Sequence, residues 1–503
     1  MLSQDRHLSL LAAAFASEHK TEKDEYLRKE EVVRGMKKRE SVRNEEVARK
    51  LFANYEEVVA CGGKLKKLRA DALAILASAV KSADPYELMH KCVRLEGEKL
   101  HISGENRSVH VELRGSVRVV AFGKASLGMA RAIEEILSVD EGIVVIPRGQ
   151  HCGTQPKSFE VLEASHPVPD ESSVHAAEKA LEIARKCEKN DIFIALISGG
   201  GSSLLAKPAE GLTLEDKKAV TELLLRSGCT VSELNVVRKK ISAVKGGKLA
   251  EAAMPARTLA LILSDVVGDP VDAIASGPTA EDTSTFSEAK GVLEKYGVWA
   301  RIPESVRNFI ERGMAEERRR KHEKRRSNAQ NIIIGNNLVA ARAAEEEARA
   351  RGYNTLLLTT HLEGESREVA KVFVAVARDI RRYGIPIKTP AAVIAGGETT
   401  VSVVGTGRGG RNQEFVLSAA IRIASEEGIV VASIGTDGID GVSEAAGAIA
   451  DGFTLERAKD ASLNAEAFLR NNDAYTFFSM LNDALLTGRT GTNVNDIAVL
   501  LVA

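Results

Sequence analysis

The run FIALISGGGSSLL (193–205) sets three glycines, Gly199, Gly200 and Gly201, between an apolar stretch ending at Ser198 and two hydroxyls, Ser202 and Ser203, that open a helical run. Such a turn suits an anion. Glycine lets the backbone approach a ligand, the first amides of a helix lack intrahelical acceptors, and the helix dipole favours negative charge by about 0.3–1 kcal/mol at exposed sites. A tight strand-to-helix turn would be satisfied by two glycines. The third glycine and the two hydroxyls point to a bound phosphate or carboxylate.

A second apolar run ends in AFGKAS and puts Lys124 just past Gly123, at the strand end where open α/β sheets bind ligands. It is not a Walker loop, because Arg118 stands where the first glycine is required and Ala125 where a hydroxyl is; KGGKL fails likewise at Leu249. ELNVVRKKISAVKGGKL (233–249) gathers Arg238, Lys239, Lys240, Lys245 and Lys248 behind Asn235, as either a solvated basic face or a phosphate-holding one. LILSDVVGDP (261–270) places Asp265 and Asp269 after a buried strand, and IASGPTAED (274–282) follows it. Carboxylates there can hold Mg²⁺ or accept a hydroxyl proton, and Asp beside Gly and Pro also simply makes turns.

The C-terminal part adds GGETTV (396–401, with Gly396 and Glu398), GTGRGGRNQE (405–414, with Arg411 and Asn412), GTDGIDG (435–441, with Asp437 and Asp440) and TGTNVND (490–496). Gly405, Gly407 and Gly410 fit the dinucleotide fingerprint G-x-G-x-x-G. Fewer than a hundred residues follow, too few for a two-half dinucleotide domain, and no acid ends a second strand about twenty residues on. Arg411 instead opens a helix whose Phe415, Val416, Ala419 and Ile423 form one apolar stripe, a firm base for a phosphate-clamping arginine.

Short β-branched runs alternating with helical ones must position these loops, which predicts an α/β chain. Strands are expected at 117–122, 142–146, 192–198, 258–263 and 331–334, then at 392–395, 399–404, 430–434 and 497–502 around a helix at 412–427. With 503 residues the chain exceeds one core. The divisions expected are a charged extension, helical or disordered, at 1–68, a larger Rossmann-like domain with a mostly parallel sheet at 69–330, a connecting α/β segment at 331–388 and a smaller α/β domain at 389–503. Residues 21–50 hold eighteen charged side chains of both signs, which reads as a solvated helix or tail. Residues 311–326 carry eight basic against four acidic side chains and read as a solvated helix or linker. The balance of 69 basic against 70 acidic residues gives no nucleic-acid footprint, and five scattered cysteines suggest neither disulfides nor a zinc knuckle. No apolar run reaches membrane-spanning length. The stretch 8–16 only faintly imitates a signal peptide, so the cytoplasm is the expected location.

AFGKAS, SHPVPDE (165–171), LISGGGSSLL, ELNVVRKKISAVKGGKLA, LILSDVVGD, IASGPT, IGNN (334–337), AGGETTV, GGRNQE, GTDGIDG and GTNVND together resemble the class II glycerate kinases, or glycerate 2-kinases, whose C-terminal part is the MOFRL domain. The resemblance covers nearly everything from Arg69 onward. It implies ATP and D-glycerate as substrates, 2-phosphoglycerate and ADP as products, a divalent cation such as Mg²⁺, and a cleft between two domains. It makes Lys124 and Arg411 the catalytic cations and Asp265 a substrate or metal carboxylate. The extension before Arg69 and the basic stretch at 318–326 are longer than the family pattern requires.

Phosphoryl transfer asks chiefly for positioning and positive charge. The glycine loop 199–201 is expected to hold nucleotide phosphate or the glycerate carboxylate, with Lys124 and Arg411 on opposite sides of the γ-phosphoryl. Asp265 or Asp437 positions Mg²⁺ or the attacking hydroxyl. Ser198, Asn235, Arg238, Lys245, Asp269, Gly396, Glu398, Asn412 and Asp440 complete the expected binding set. Rival readings are an NAD(P)-dependent hydroxypyruvate reductase, transfer to the 3-hydroxyl, and a non-catalytic sensor. A homodimer is left open.

Overall fold

The computed structural model describes residues 44–150, 154–319 and 328–503. The signal-like stretch 8–16, most of the charged run 21–50, Cys152 and the end of the basic stretch lie outside the described residues.

Six strands, β4 (Val117–Phe122), β5 (Glu141–Pro147), β6 (Phe159–Ala164), β7 (Ile192–Ile197), β8 (Arg257–Leu263) and β9 (Ala329–Gly335), form an all-parallel sheet in the order β6-β5-β4-β7-β8-β9. Every residue of β7 is buried, as a parallel strand covered on both faces requires. The order reverses between β4 and β7, so the loops after those two strands diverge and open the crevice in which doubly wound sheets bind ligands. Lys124 follows β4 and the triple glycine follows β7.

The second sheet is mixed. Strands β10 (Asn354–Leu362), β11 (Ala391–Gly397), β12 (Ile429–Gly435), β13 (Gly447–Asp451), β14 (Ala484–Leu485) and β15 (Asp496–Val502) take the order β10-β11-β15-β12-β13-β14, and only β10 and β11 pair in parallel. A small antiparallel meander, β1 (Val93–Glu96), β2 (Lys99–Ser103) and β3 (Ser108–Glu112), precedes the large sheet. The stretch 331–388 divides between the layers, giving β9 to the first sheet and β10 to the second.

The folded chain reaches upstream of the expected start at Arg69. Ala48, Phe52, Tyr55 and Val58 are buried, and Ala53 N–H donates to the Leu486 carbonyl at 2.7 Å. An apolar stripe is hidden there in charge-rich text, with Lys50 and Glu46 paired on its solvent side. The helix Lys66–Ser82 packs on the helix Asn337–Ala350 and on β12 and β15, so the earliest long helix among the described residues covers the C-terminal sheet.

Two expectations need correction. Residues 399–404 form no strand: one bridge joins Thr400 to Glu365, and Val403 and Val404 stand 72% and 79% exposed. Their β-branched composition favours extended backbone, but no neighbouring strand pairs with them. The helix expected at 412–427 is Arg411–Arg422, and Ser425 beyond it adopts a left-handed φ of 63°.

Candidate active site

Across the crevice, the loops after β4, β7 and β8 meet those of the second sheet. Lys124 N–H donates to the Gly199 carbonyl at 2.8 Å, and its ammonium donates to Asp437 Oδ2 at 3.0 Å from the opposite layer. Gly200 has φ 82°, a left-handed conformation that glycine adopts freely, and the His166 ring lies 2.9 Å from where its Cβ would stand. Burial pushes the His166 imidazole below its ordinary value, with Lys124 and Arg489 adding to the effect.

Gly199 is packed against Asp265 so closely that a Cβ would collide with its Oδ2. Asn493 Nδ2 donates to the same oxygen at 3.1 Å. Burial raises the Asp265 carboxyl to about 6, against the opposing pull of Lys124. Gly199→Ala therefore displaces Asp265 without touching the core. The expected result is a kcat loss of about 10²-fold from misplacement of order 1 Å, measured beside an unchanged circular dichroism spectrum.

Arg411 opens its helix between two acids. Its Nε and Nη2 donate to the two oxygens of Asp496 at 2.6 and 3.0 Å, and Nη1 donates to Glu398 Oε1 at 2.8 Å. Burial alone would depress the guanidinium, but Asp496 and Glu398 hold it above its ordinary value. Burial pushes both carboxyls up, with Arg411 opposing. Neither Lys124 nor Arg411 is thus a free cation. Both are oriented by carboxylates that an arriving phosphoryl group would have to replace or share.

Several expected site residues shape the walls rather than face the cleft. Ser198 is buried, its Oγ accepting from Ala125 N–H at 3.0 Å. Asp440 accepts from the Asn412 and Gln413 amides at 3.1 and 2.8 Å and so caps the arginine helix, while Asn412 Oδ1 accepts from Ser433 Oγ at 2.6 Å. Gly396 gives way to Asn337, and Asp269, at φ 55°, accepts from Asn336 Nδ2 in a turn. Asn235 Oδ1 accepts from Ser276 Oγ at 2.9 Å, Ser276 Oγ lies 2.9 Å from Ser202 Oγ, and Lys245 Nζ donates to Ser202 Oγ at 2.8 Å. Ser203 Oγ donates to the Gly200 carbonyl at 3.0 Å. Asn235, Lys245, Ser202 and Ser203 thus gather around the far end of the glycine loop.

His166, Asn493 and Asp496 were not singled out from sequence. His166 sits in SHPVPDE and the other two in GTNVND, so the signal was the motif and not the residue.

Beside these groups runs a cleft of about 820 Å³, lined by Val231, Asp265 and Pro270 on one side and by Glu398, Arg411 and Val442 on the other. Among the described residues no three His, Cys, Asp or Glu side chains cluster as a metal cage. Mg²⁺ is usually held by one or two carboxylates together with substrate phosphates and water. Asp265 and Asp437, which interact with each other and with Lys124, fit that mode. The fingerprint glycines are not preceded by a strand: Gly405 and Gly407 pack on 471–473, where the Gly407 amide donates to the Asn471 carbonyl at 3.0 Å, and Gly410 packs on Asp440.

Residues 71–311 match a family described as a domain of unknown function, DUF4147, and residues 391–496 match the MOFRL family. A "Glycerate 2-kinase" of Pyrococcus horikoshii is 42% identical over 436 residues, covering 86% of this chain and 97% of that protein. A "Putative hydroxypyruvate reductase" of Agrobacterium vitis is 43% identical over 392 residues, covering 77% of this chain and 88% of that protein. The crystal structure of a glycerate kinase from Thermotoga maritima superposes with a TM-score of 0.77 at 38% identity, covering 87% of this chain and all of the other.

Proposed function

The chain belongs to the glycerate kinase family with a C-terminal MOFRL domain and is a kinase acting on an alcohol group, and from that premise we propose that it transfers the γ-phosphoryl of ATP to the 2-hydroxyl of D-glycerate. The observation that carries this reading is the Lys124–Asp437 contact across the crevice, which brings the anion loops of one sheet against the Arg411 cluster of the other.

The reaction forms a bond from the glycerate oxygen to the γ-phosphorus, breaks the bond to the β,γ-bridging oxygen and releases ADP. Lys124 and Arg411 balance charge on the transferring group, and their carboxylate partners keep both side chains aimed before substrate arrives. The nucleoside takes the 820 Å³ cleft, where valines from both domains offer an apolar surface. Asp437, together with the phosphates and water, would hold Mg²⁺, and the ion would supply further neutralisation there. Asp265 accepts the hydroxyl proton, a task for which a carboxyl raised to about 6 is better suited than an ordinary one.

Below about pH 6 Asp265 is protonated and cannot accept that proton. The expected acid limb of kcat/KM falls with unit slope through about that pH, and a limb centred near 4 would remove Asp265 from this role. The central test is incubation with D-glycerate, ATP and Mg²⁺, coupled through enolase, which accepts only 2-phosphoglycerate. An enolase signal is expected; ADP release without it moves the phosphate to the 3-hydroxyl. Oxidation of NAD(P)H by hydroxypyruvate in place of ADP release would favour the reductase reading.

A further inference from the structure

Against the far end of the glycine loop, where Lys245 bonds Ser202, lies a cluster of cations that the proposed phosphoryl transfer does not use. It comprises Lys217, Arg238, Lys245 and Lys248, and among the described residues none of the four is in a salt bridge. Lys217, on the helix Leu214–Arg226, donates to the carbonyls of Ala206 and Lys207 at 3.3 and 3.4 Å. Lys245 donates to the Ser202 carbonyl at 2.7 Å as well as to its hydroxyl, and Lys248 donates to the Lys239 carbonyl at 2.6 Å. Nearby acids are engaged elsewhere: Asp282 pairs with Lys240 at 2.9 Å and Asp272 with Lys239 at 2.8 Å. Glu251 is felt by Lys248 but forms no ion pair with it.

The three lysines are occupied by carbonyls, whereas Arg238 has no hydrogen-bond or ion-pair partner among the described residues. It is half-buried, one turn beyond Asn235 on the helix Val231–Lys240, and thus on the face that meets Ser276 and Ser202. Burial lowers the affinity of Arg238 and of all three lysines for their protons, and their mutual repulsion adds to the effect on Lys217 and Lys245. Four desolvated cations, none of them ion-paired among the described residues, form a site that an anion would stabilise.

We propose that Arg238, supported by Lys245 and Ser203, is the seat for the carboxylate of the hydroxy-acid acceptor. This rests on the kinase reading and fixes which anion this end of the glycine loop receives. Three features favour an acceptor carboxylate over nucleotide phosphate. The cleft of nucleoside size is lined by Arg411 and Asp265 and by none of the four cations. One planar guanidinium matches one carboxylate in bidentate fashion. The short loop 199–203 joins the seat to Lys124, its Gly199 carbonyl accepting from the Lys124 amide, which suits an acid whose reacting hydroxyl is one carbon from its carboxylate.

The test uses the full-length protein, with Arg238→Met and Arg238→Lys variants checked for native thermal unfolding. Arg238→Met is expected to raise KM for D-glycerate roughly 10²-fold, with KM for ATP changed less than about threefold; Arg238→Lys recovers part of the loss. Glyceramide, which has the same hydroxyls and no carboxylate, should be a poor acceptor for the parent protein and no poorer for Arg238→Met. A rise in KM for ATP with KM for D-glycerate unchanged would overturn the assignment in favour of nucleotide phosphate, and two unchanged constants would make the cluster structural only. Calorimetric titration of D-glycerate, with and without ADP, reads the seat independently of turnover. If the parent protein releases no ADP, the kinase reading fails, and loss of D-glycerate binding in Arg238→Met still supports the seat. Equal binding by both proteins, or none by the parent, overturns it. Should Arg238→Met not fold, Arg238→Lys carries the same comparison.

Discussion

Arg411→Ala is expected to lower kcat with D-glycerate and ATP by roughly 10³-fold or more, the scale on which an arginine contributes to phosphoryl transfer. The same guanidinium keeps Asp496 and Glu398 paired, so the variant should retain the fold with a reduced midpoint of thermal unfolding. Arg411→Lys keeps a charge but loses the two-pronged grip on Asp496, and should remain severely impaired. Initial rates measured beside circular dichroism separate the two effects. Retention of most activity by Arg411→Ala would remove this side chain from the reaction.

The largest effect on stability is expected far from the cleft. Arg69 is fully buried, with Nη1 donating to Asp451 Oδ2 at 2.6 Å and Nη2 to Asp483, both acids also fully buried. Arg457 bonds the same two carboxylates, so two arginines and two aspartates balance. Arg69→Met leaves an uncompensated negative charge in the interior, at a cost of about 3–5 kcal/mol. That is a large part of the roughly 5–15 kcal/mol by which domains are stable. Urea unfolding should show it as a lower midpoint, and adding Asp483→Asn should restore part of the loss by rebalancing charge. An unchanged midpoint in Arg69→Met would mean that water or Arg457 compensates fully.

The large parallel sheet was legible because its central strands are continuous apolar runs. β4 matches its expected span, β5 exceeds its own by one residue at each end, and β7 and β8 differ from theirs by one residue at one end. β6 was missed because FEVLEA is buried only at its two ends, so neither alternation nor a continuous run marks it. The loop at 399–404 erred the other way, since strand-like composition cannot reveal whether a partner strand exists. Around the cleft, Lys124, the triple glycine, Asp265 and Arg411 were visible as residue types at element ends. What they pair with was not: Arg411 and Asp496 stand 85 positions apart, and no local pattern encodes such a bond. Asn412, Asp440 and Asp269 looked like ligand groups because short polar side chains that can bind a ligand can equally bind the protein itself: Asp440 takes backbone amides, and Asn412 and Asp269 take neighbouring side chains.

The buried Arg69 network also bears on how the chain is made. Arg69 and Asp451 lie 382 positions apart, a separation that takes roughly 20–80 s to cross at 5–20 residues per second. During that interval the helix Lys66–Ser82 exists without the sheet it covers, and Leu73, Leu76 and its other interior side chains have nothing from β12 or β15 to pack on. β15 is last in chain order yet lies between β11 and β12. The large parallel sheet can therefore assemble on the ribosome while the C-terminal layer waits for both ends of its own wiring. The half of the cleft that carries Arg411 is the half that matures last.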